Sequence, residues 1–147
     1  MSLKEVLMED LKDAMRSKNV IKKNTITMVR AAIQQKEVDE RIDVSDDAII
    51  DIIAKQLKEK KMAIDEFKKG DRQDLVDLTE REIEFLLKYL PEQLSEDEIE
   101  EIIIETIKEI NAQSMKDIGL IMKAVMPKVK GRTDGNMVNK IIKKVFN

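Results

Sequence analysis

The chain contains no cysteine and no histidine. Without cysteine there is no disulfide and no thiolate metal site. Without histidine the commonest general base and the commonest metal ligand are both missing. Nucleophilic centres built on a Ser–His or Cys–His pair are therefore excluded. Tryptophan is absent and aromatics make up 3% of residues. None interleaves with the basic residues, which argues against single-strand RNA readout by base stacking. No apolar run approaches the ~18 residues of a membrane span, and no apolar h-region opens the chain. These absences predict a soluble, cytoplasmic protein with no membrane partner. Glycine and proline are also scarce, four and two in 147 residues.

What remains is rich in Ile, Leu, Met, Lys and Glu. Hydrophobic residues reach 42% and charged residues 39%, a mix that suits helices better than sheet. The fold class expected is all-α. The net charge of −3 conceals a segregation. Residues 1–41 carry +2, 42–92 carry −5, 93–112 carry −6 and 113–147 carry +6. A basic end on an acidic body suggests a polyanionic partner at that end.

Local signals then divide the chain. Ser2 caps a first helix with Leu3, Val6, Leu7, Leu11 and Met15 on one face, stopping near Ser17–Asn19. A second helix is expected from about Asn24–Thr25 to Arg41 on a stripe of Ile26, Val29 and Ile33. Ser45 followed by Asp46 and Asp47 starts a third, because negative charge is favoured in the first turn. This helix runs to about Lys69, with Gly70 expected in the left-handed position that ends it. The fourth, about Arg72 to Tyr89, presents Leu75, Leu78, Ile83, Leu86 and Leu87, and ends before Pro91. Ser95 and Glu98 form a capping box opening the fifth, whose Ile99, Ile102, Ile103, Ile107 and Ile110 point inward. Ser114 with Asp117 resembles another box. It opens a sixth helix that carries Ile118, Ile121, Met122 and Val125 and is ended or kinked by Pro127. The seventh runs from about Asp134 to Phe146. The expected organisation is an N-terminal four-helix domain, 1–92, and a small three-helix C-terminal domain, 93–147.

The sharpest chemical feature is the turn Pro127–Gly135. Lys128, Lys130 and Arg132 alternate just before the start of the last helix, where free backbone N–H groups favour an anion. Gly131 and Gly135 let the backbone approach a ligand closely, and an arginine fork matches a phosphate. Lys123, Lys140, Lys143 and Lys144 extend the basic set, and Asp134 is the only acid between Ile118 and Asn147. Asp134 can itself cap the helix, which competes with an outside anion. The many carboxylates lie on polar helix faces and form no buried acid–base pair of the kind catalysis needs. No metal site, cofactor fingerprint or catalytic residue emerges. Arg30 and Lys60 project from the apolar arcs of their helices. Each either contacts a ligand or partner in a groove, snorkels along the core edge, or pairs with an acid of a neighbouring helix.

Three stretches carry a family resemblance: the opening LKEVLMEDLKDAMRSKN (Leu3–Asn19), the turn KYLPEQLSEDEIE (Lys88–Glu100), and IGLIMKAVMPKVKGRTDGNMVNKIIKKVF (Ile118–Phe146). Together they resemble the YqeY family, the free-standing relative of the tail of GatB, a component of the bacterial tRNA-dependent amidotransferase. The spaced residues Gly119, Met122-Lys123, Gly131-Arg132, Asp134-Gly135 and Val138 are its most specific part. The resemblance implies a helical N-terminal domain followed by a three-helix domain that contacts the outer corner of tRNA. By that analogy Lys123, Lys128, Lys130, Arg132, Lys140, Lys143 and Lys144 face RNA phosphates. The family's associated activity, carbon–nitrogen ligation with glutamine as amide donor, needs a nucleophile and an ATP–Mg²⁺ site. This chain shows neither, so it is expected to act as an accessory with no catalytic centre or cofactor of its own. The partner expected is tRNA or tRNA-like structured RNA, not DNA. The alternative is a helical interaction module that docks on an amidotransferase or aminoacyl-tRNA synthetase.

Overall fold

The computed structural model describes residues 1–147 and is all-helical, with seven α-helices and no strand. They are α1 (Leu3–Arg16), α2 (Val20–Glu40), α3 (Asp46–Lys69), α4 (Gln73–Leu87), α5 (Glu96–Ile110), α6 (Ile118–Val125) and α7 (Gly135–Val145). Short 3₁₀ turns cover Met115–Asp117 and Met126–Val129. The chain divides into two compact units, Met1–Leu90 and Pro91–Asn147. No helix is long and apolar enough to cross a membrane.

In the first unit α2 packs against α1, α3 and α4. Leu7 and Leu11 of α1, Ile26, Val29 and Ile33 of α2, Ile49, Ile53 and Leu57 of α3, and Leu86 of α4 form its core. Each fully buried aliphatic side chain of this kind contributes roughly 1.5–3 kcal/mol. Caps set the ends. Ser2 and Glu5 make a reciprocal capping box, and Ser45 accepts from the Ala48 N–H. The Tyr89 hydroxyl donates to Asp10 at 2.5 Å and ties the chain after α4 to α1.

Several local expectations need correction. Helix α2 begins at Val20, because Asn19 accepts from the Lys22 N–H and Lys18 turns the chain at φ 57°. The cap starts the helix, whereas the apolar stripe marks only where packing begins. In α1 the third core position is Ala14, and Met15 is exposed. After α3 the left-handed residue is Asp71 (φ 56°), while Gly70 has φ −84°. In α4 Val76 and Thr79 are buried while Leu78 is exposed, and in α5 Thr106 is buried while Ile110 is exposed. Thr79 and Thr106 tolerate burial because each hydroxyl donates to the carbonyl four residues back, that of Leu75 and Ile102. Lys60 pairs with Glu82 across α3 and α4 at 3.3 Å, with side chains 12% and 16% exposed.

In the second unit α5, α6 and α7 pack on one another. Ile99 and Ile103, Ile121 and Val125, Val129, and Val138, Ile141 and Ile142 form a separate core. The segment before α5 is stitched to the turn before α7. Gln93 donates to the Gly131 carbonyl at 2.8 Å, the Leu94 N–H to the Arg132 carbonyl at 3.0 Å, and Arg132 Nε to the Glu92 carbonyl at 3.0 Å. Gly131 sits at φ 73°, where a side chain would be strained. Pro127 lies in the 3₁₀ turn that follows α6.

Candidate nucleic-acid interface

The polar half of α7 is built by spacing. Asn136, Asn139, Lys140, Lys143 and Lys144 fall at intervals of three and four, on one helix face, and Asn147 follows just past its end. They line an open depression of about 650 Å³. The opposite face holds Val138, Ile141 and Ile142 in the core, which fixes the rotation of the helix and aims the lysines outward. Lys143 makes no ion pair or hydrogen bond. Lys140 lies 3.8 Å from Glu96, and Lys144 lies 3.8 Å from Glu100. These contacts are long, and Lys140 and Lys144 are exposed.

The other nominated cations sit differently. The Lys128 ammonium donates to the Thr106 hydroxyl at 2.9 Å and pairs with Glu109 at 2.8 Å. Arg132 is half-buried, with its Nε committed to the Glu92 carbonyl. Lys130 is exposed and already engaged within the protein. Lys123 is exposed on α6 and has no ion-pair partner. The start of α7 is filled from within, since the Asp134 carboxylate accepts from the Met137 N–H at 2.9 Å. Within the Pro127–Gly135 turn, Lys128 and the Arg132 Nε are already bound by the protein, and Asp134 fills the start of α7.

Lys140 and Lys128 meet α5 near opposite ends. Glu96 and Glu109 are thirteen residues apart, about 20 Å along the axis and roughly 220° around it at 100° per residue. The partner of Lys140 and the partner of Lys128 therefore lie at opposite ends and on opposite flanks of α5. Lys140 and Lys144 thus lie beside the first turns of α5 and Lys128 beside its last turn. Lys140, Lys143 and Lys144 form one cluster, and Lys128 belongs to another. Asn139 and Asn147 complete the lining of the depression, and the sequence pattern alone did not single them out. Their spacing from Asn136 was the available signal.

Acids of α5 border the cluster. The Glu98 carboxyl is held below the usual carboxylate range by the Ser95 backbone N–H, then by the Ser95 side chain, with a smaller contribution from the charge of Arg132. No group of three or more acids is arranged to hold a metal ion.

The family described as Yqey-like protein matches residues 4–146. Altered inheritance of mitochondria protein 41, mitochondrial, from Pyrenophora tritici-repentis is 33% identical over 142 residues, 95% of this chain and 78% of that protein. The protein of the same name from Lachancea thermotolerans is 39% identical over 85 residues, 57% of this chain and 46% of that protein. A glutamyl-tRNA(Gln) amidotransferase subunit from Sulfurisphaera tokodaii is 48% identical over 65 residues, 42% of this chain and 10% of that protein. The stretch shared with it is thus a small part of a much longer protein. With the family match running almost from end to end over an all-helical fold, this chain belongs to the Yqey-like protein family.

Proposed function

We propose that this chain binds tRNA, or a structured RNA like it, through the polar face of α7, as an accessory to tRNA-dependent amidation with no catalytic centre of its own. The observation that carries the reading is the Lys140, Lys143 and Lys144 cluster, flanked by Asn136, Asn139 and Asn147 around one open depression. The family membership and the likeness to part of an amidotransferase support it. The ion pairs to Glu96 and Glu100 are exposed and long, of a kind that contributes roughly 0–1 kcal/mol, so RNA phosphates can displace them. Lys123, Lys130, Arg132 and Lys128 are peripheral contacts in this reading, with Lys128 the weakest because Glu109 already neutralises it. The cytoplasm is the proposed site of action.

The test is tRNA binding at two salt concentrations. Three neutralised phosphates give a slope of log K against log salt of about −2 to −3, or roughly 40-fold weaker binding between about 50 and 200 mM salt. Replacing Lys140, Lys143 and Lys144 by alanine removes most of the affinity. Replacing Lys128, Lys130 and Arg132 removes little. Binding that is independent of salt, or that depends chiefly on the second trio, refutes the reading.

One observation favours the other reading, a module that docks on an amidotransferase or aminoacyl-tRNA synthetase. Leu120 on α6 is 63% exposed. In that case isolated tRNA does not bind, and a Leu120→Glu variant loses the purified protein partner.

A further inference from the structure

Between α1 and α2 the first unit holds a groove of about 600 Å³. Its floor is fixed core, Leu7 and Ile33, and Met8 lines it beside them. Arg30 and Gln34, one turn apart on α2, bring polar heads to the same groove. The remaining lining charges are Lys4 and Glu37, which are hydrogen-bonded to each other. The exposed Asp43, 3.7 Å from Lys4, shares that ammonium. Lys4 is therefore neutralised by the protein, and Arg30 is not. Arg30 is half-buried as a residue and its guanidinium has neither an acid nor a hydrogen-bond acceptor from the protein, while the Gln34 amide beside it is exposed and unpartnered. A guanidinium whose donors the protein leaves unused can take an external anion.

We propose that this groove binds a small organic monoanion, a carboxylate carried on an apolar body. Each part of that description has a counterpart in the groove. The planar arginine fork matches a carboxylate with two parallel hydrogen bonds. Gln34 lies one turn further on to donate to a second oxygen or to the ligand's own acceptor. Met8 and Ala31 give the apolar contact above the buried Leu7 and Ile33, and Met8 adapts its shape to what lies on it. The volume falls within the roughly 300–1,000 Å³ of small-molecule sites. Glu37 and Asp43 both hold Lys4, so the one cation at the groove with no acid beside it is Arg30. A monoanion matches that single free fork. A phosphate dianion would need a second free cation, and Glu37 and Asp43 hold Lys4. The site involves the first unit alone and does not depend on RNA binding by α7.

The experiment titrates the full chain with octanoate and with neutral octanamide, followed by backbone amide NMR shifts. Octanoate saturably shifts the amides of α1 and α2 that line the groove, and octanamide binds at least tenfold more weakly. Arg30→Gln, at a position off the buried core, abolishes that preference. Ala31→Trp, on the exposed side of the groove, fills the space while leaving Arg30 in place and removes binding of both compounds. The proposal is overturned if octanoate leaves these resonances unmoved, or if Arg30→Gln binds octanoate as the wild type does. It is also overturned if polyglutamate shifts them and octanoate does not, since the groove is then a docking surface for an acidic protein segment.

Discussion

Replacing Lys60 by methionine tests the most enclosed charge pair in the first unit. Methionine keeps much of the length of the side chain and deletes the ammonium. Glu82 then keeps a carboxylate that is 16% exposed and has lost the partner that stood 3.3 Å away. Exposed pairs contribute roughly 0–1 kcal/mol, and breaking a fully buried pair costs about 3–5. This pair sits at the edge of the core, and its contact is longer than the ~2.8 Å of the strongest charge-assisted bonds. An intermediate cost of about 2 kcal/mol follows for Lys60→Met. For a unit of this size that lowers the urea midpoint by roughly 1–2 M and the melting temperature by about 10 °C. The double variant Lys60→Met with Glu82→Leu removes both charges and recovers stability to within about 1 kcal/mol of the wild type, since apolar replacement of an enclosed pair is close to neutral. Tyrosine fluorescence during urea unfolding reads this unit selectively, because Tyr89 is the only tyrosine and there is no tryptophan. A Lys60→Met protein as stable as the wild type would refute the reasoning, since Glu82 would then be reaching water despite its burial.

Two further predictions concern pH. The Tyr89 hydroxyl is pushed well above its ordinary value of 10.0, first by burial and then by the hydrogen bond to Asp10. A group with a raised folded pKa contributes stability that is complete below its unfolded value and is lost as pH rises through the folded one. Tyrosinate absorbance should therefore stay absent in folded protein above pH 10 and appear together with unfolding, while Tyr89→Phe flattens the alkaline loss of stability. Glu37 is held below its ordinary value of 4.5 by the Lys4 hydrogen bond, and then by the Val44 backbone N–H. Its contribution is present above that value and disappears as pH falls through the lowered one, so Glu37→Gln should weaken the acid dependence of stability below about pH 4.5 as measured by urea midpoints across pH.

Much of the secondary structure is determined by sequence because helices announce themselves locally. Ser2, Ser45 and Ser95 cap α1, α3 and α5 with their own hydroxyls, and the apolar residues recur within a turn or two of each other. Where local signals misled, a generic preference outweighed a neighbour. Glycine is the usual left-handed residue after a helix, yet Asp71 takes that position beside Gly70, and the stripe of α2 obscured the cap at Asn19. The opening, the Lys88–Glu100 turn and the Ile118–Phe146 run also carry the family from sequence alone, and the match over residues 4–146 agrees with them.

The tertiary structure decided which charges are available. In sequence Arg30 and Lys60 look alike, each a cation in an apolar arc. Packing of α3 on α4 brings Glu82 to Lys60, whereas the groove beside α1 brings nothing to Arg30. Likewise the seven C-terminal cations read as one basic end. Folding places Lys140 and Lys144 of α7 beside Glu96 and Glu100 at the start of α5, and Lys128 beside Glu109 at its end. Lys128 then meets Glu109, while Lys143 meets no acid. Charge partners are chosen by helix faces that are distant in sequence and adjacent in space, so no local spacing could have revealed them.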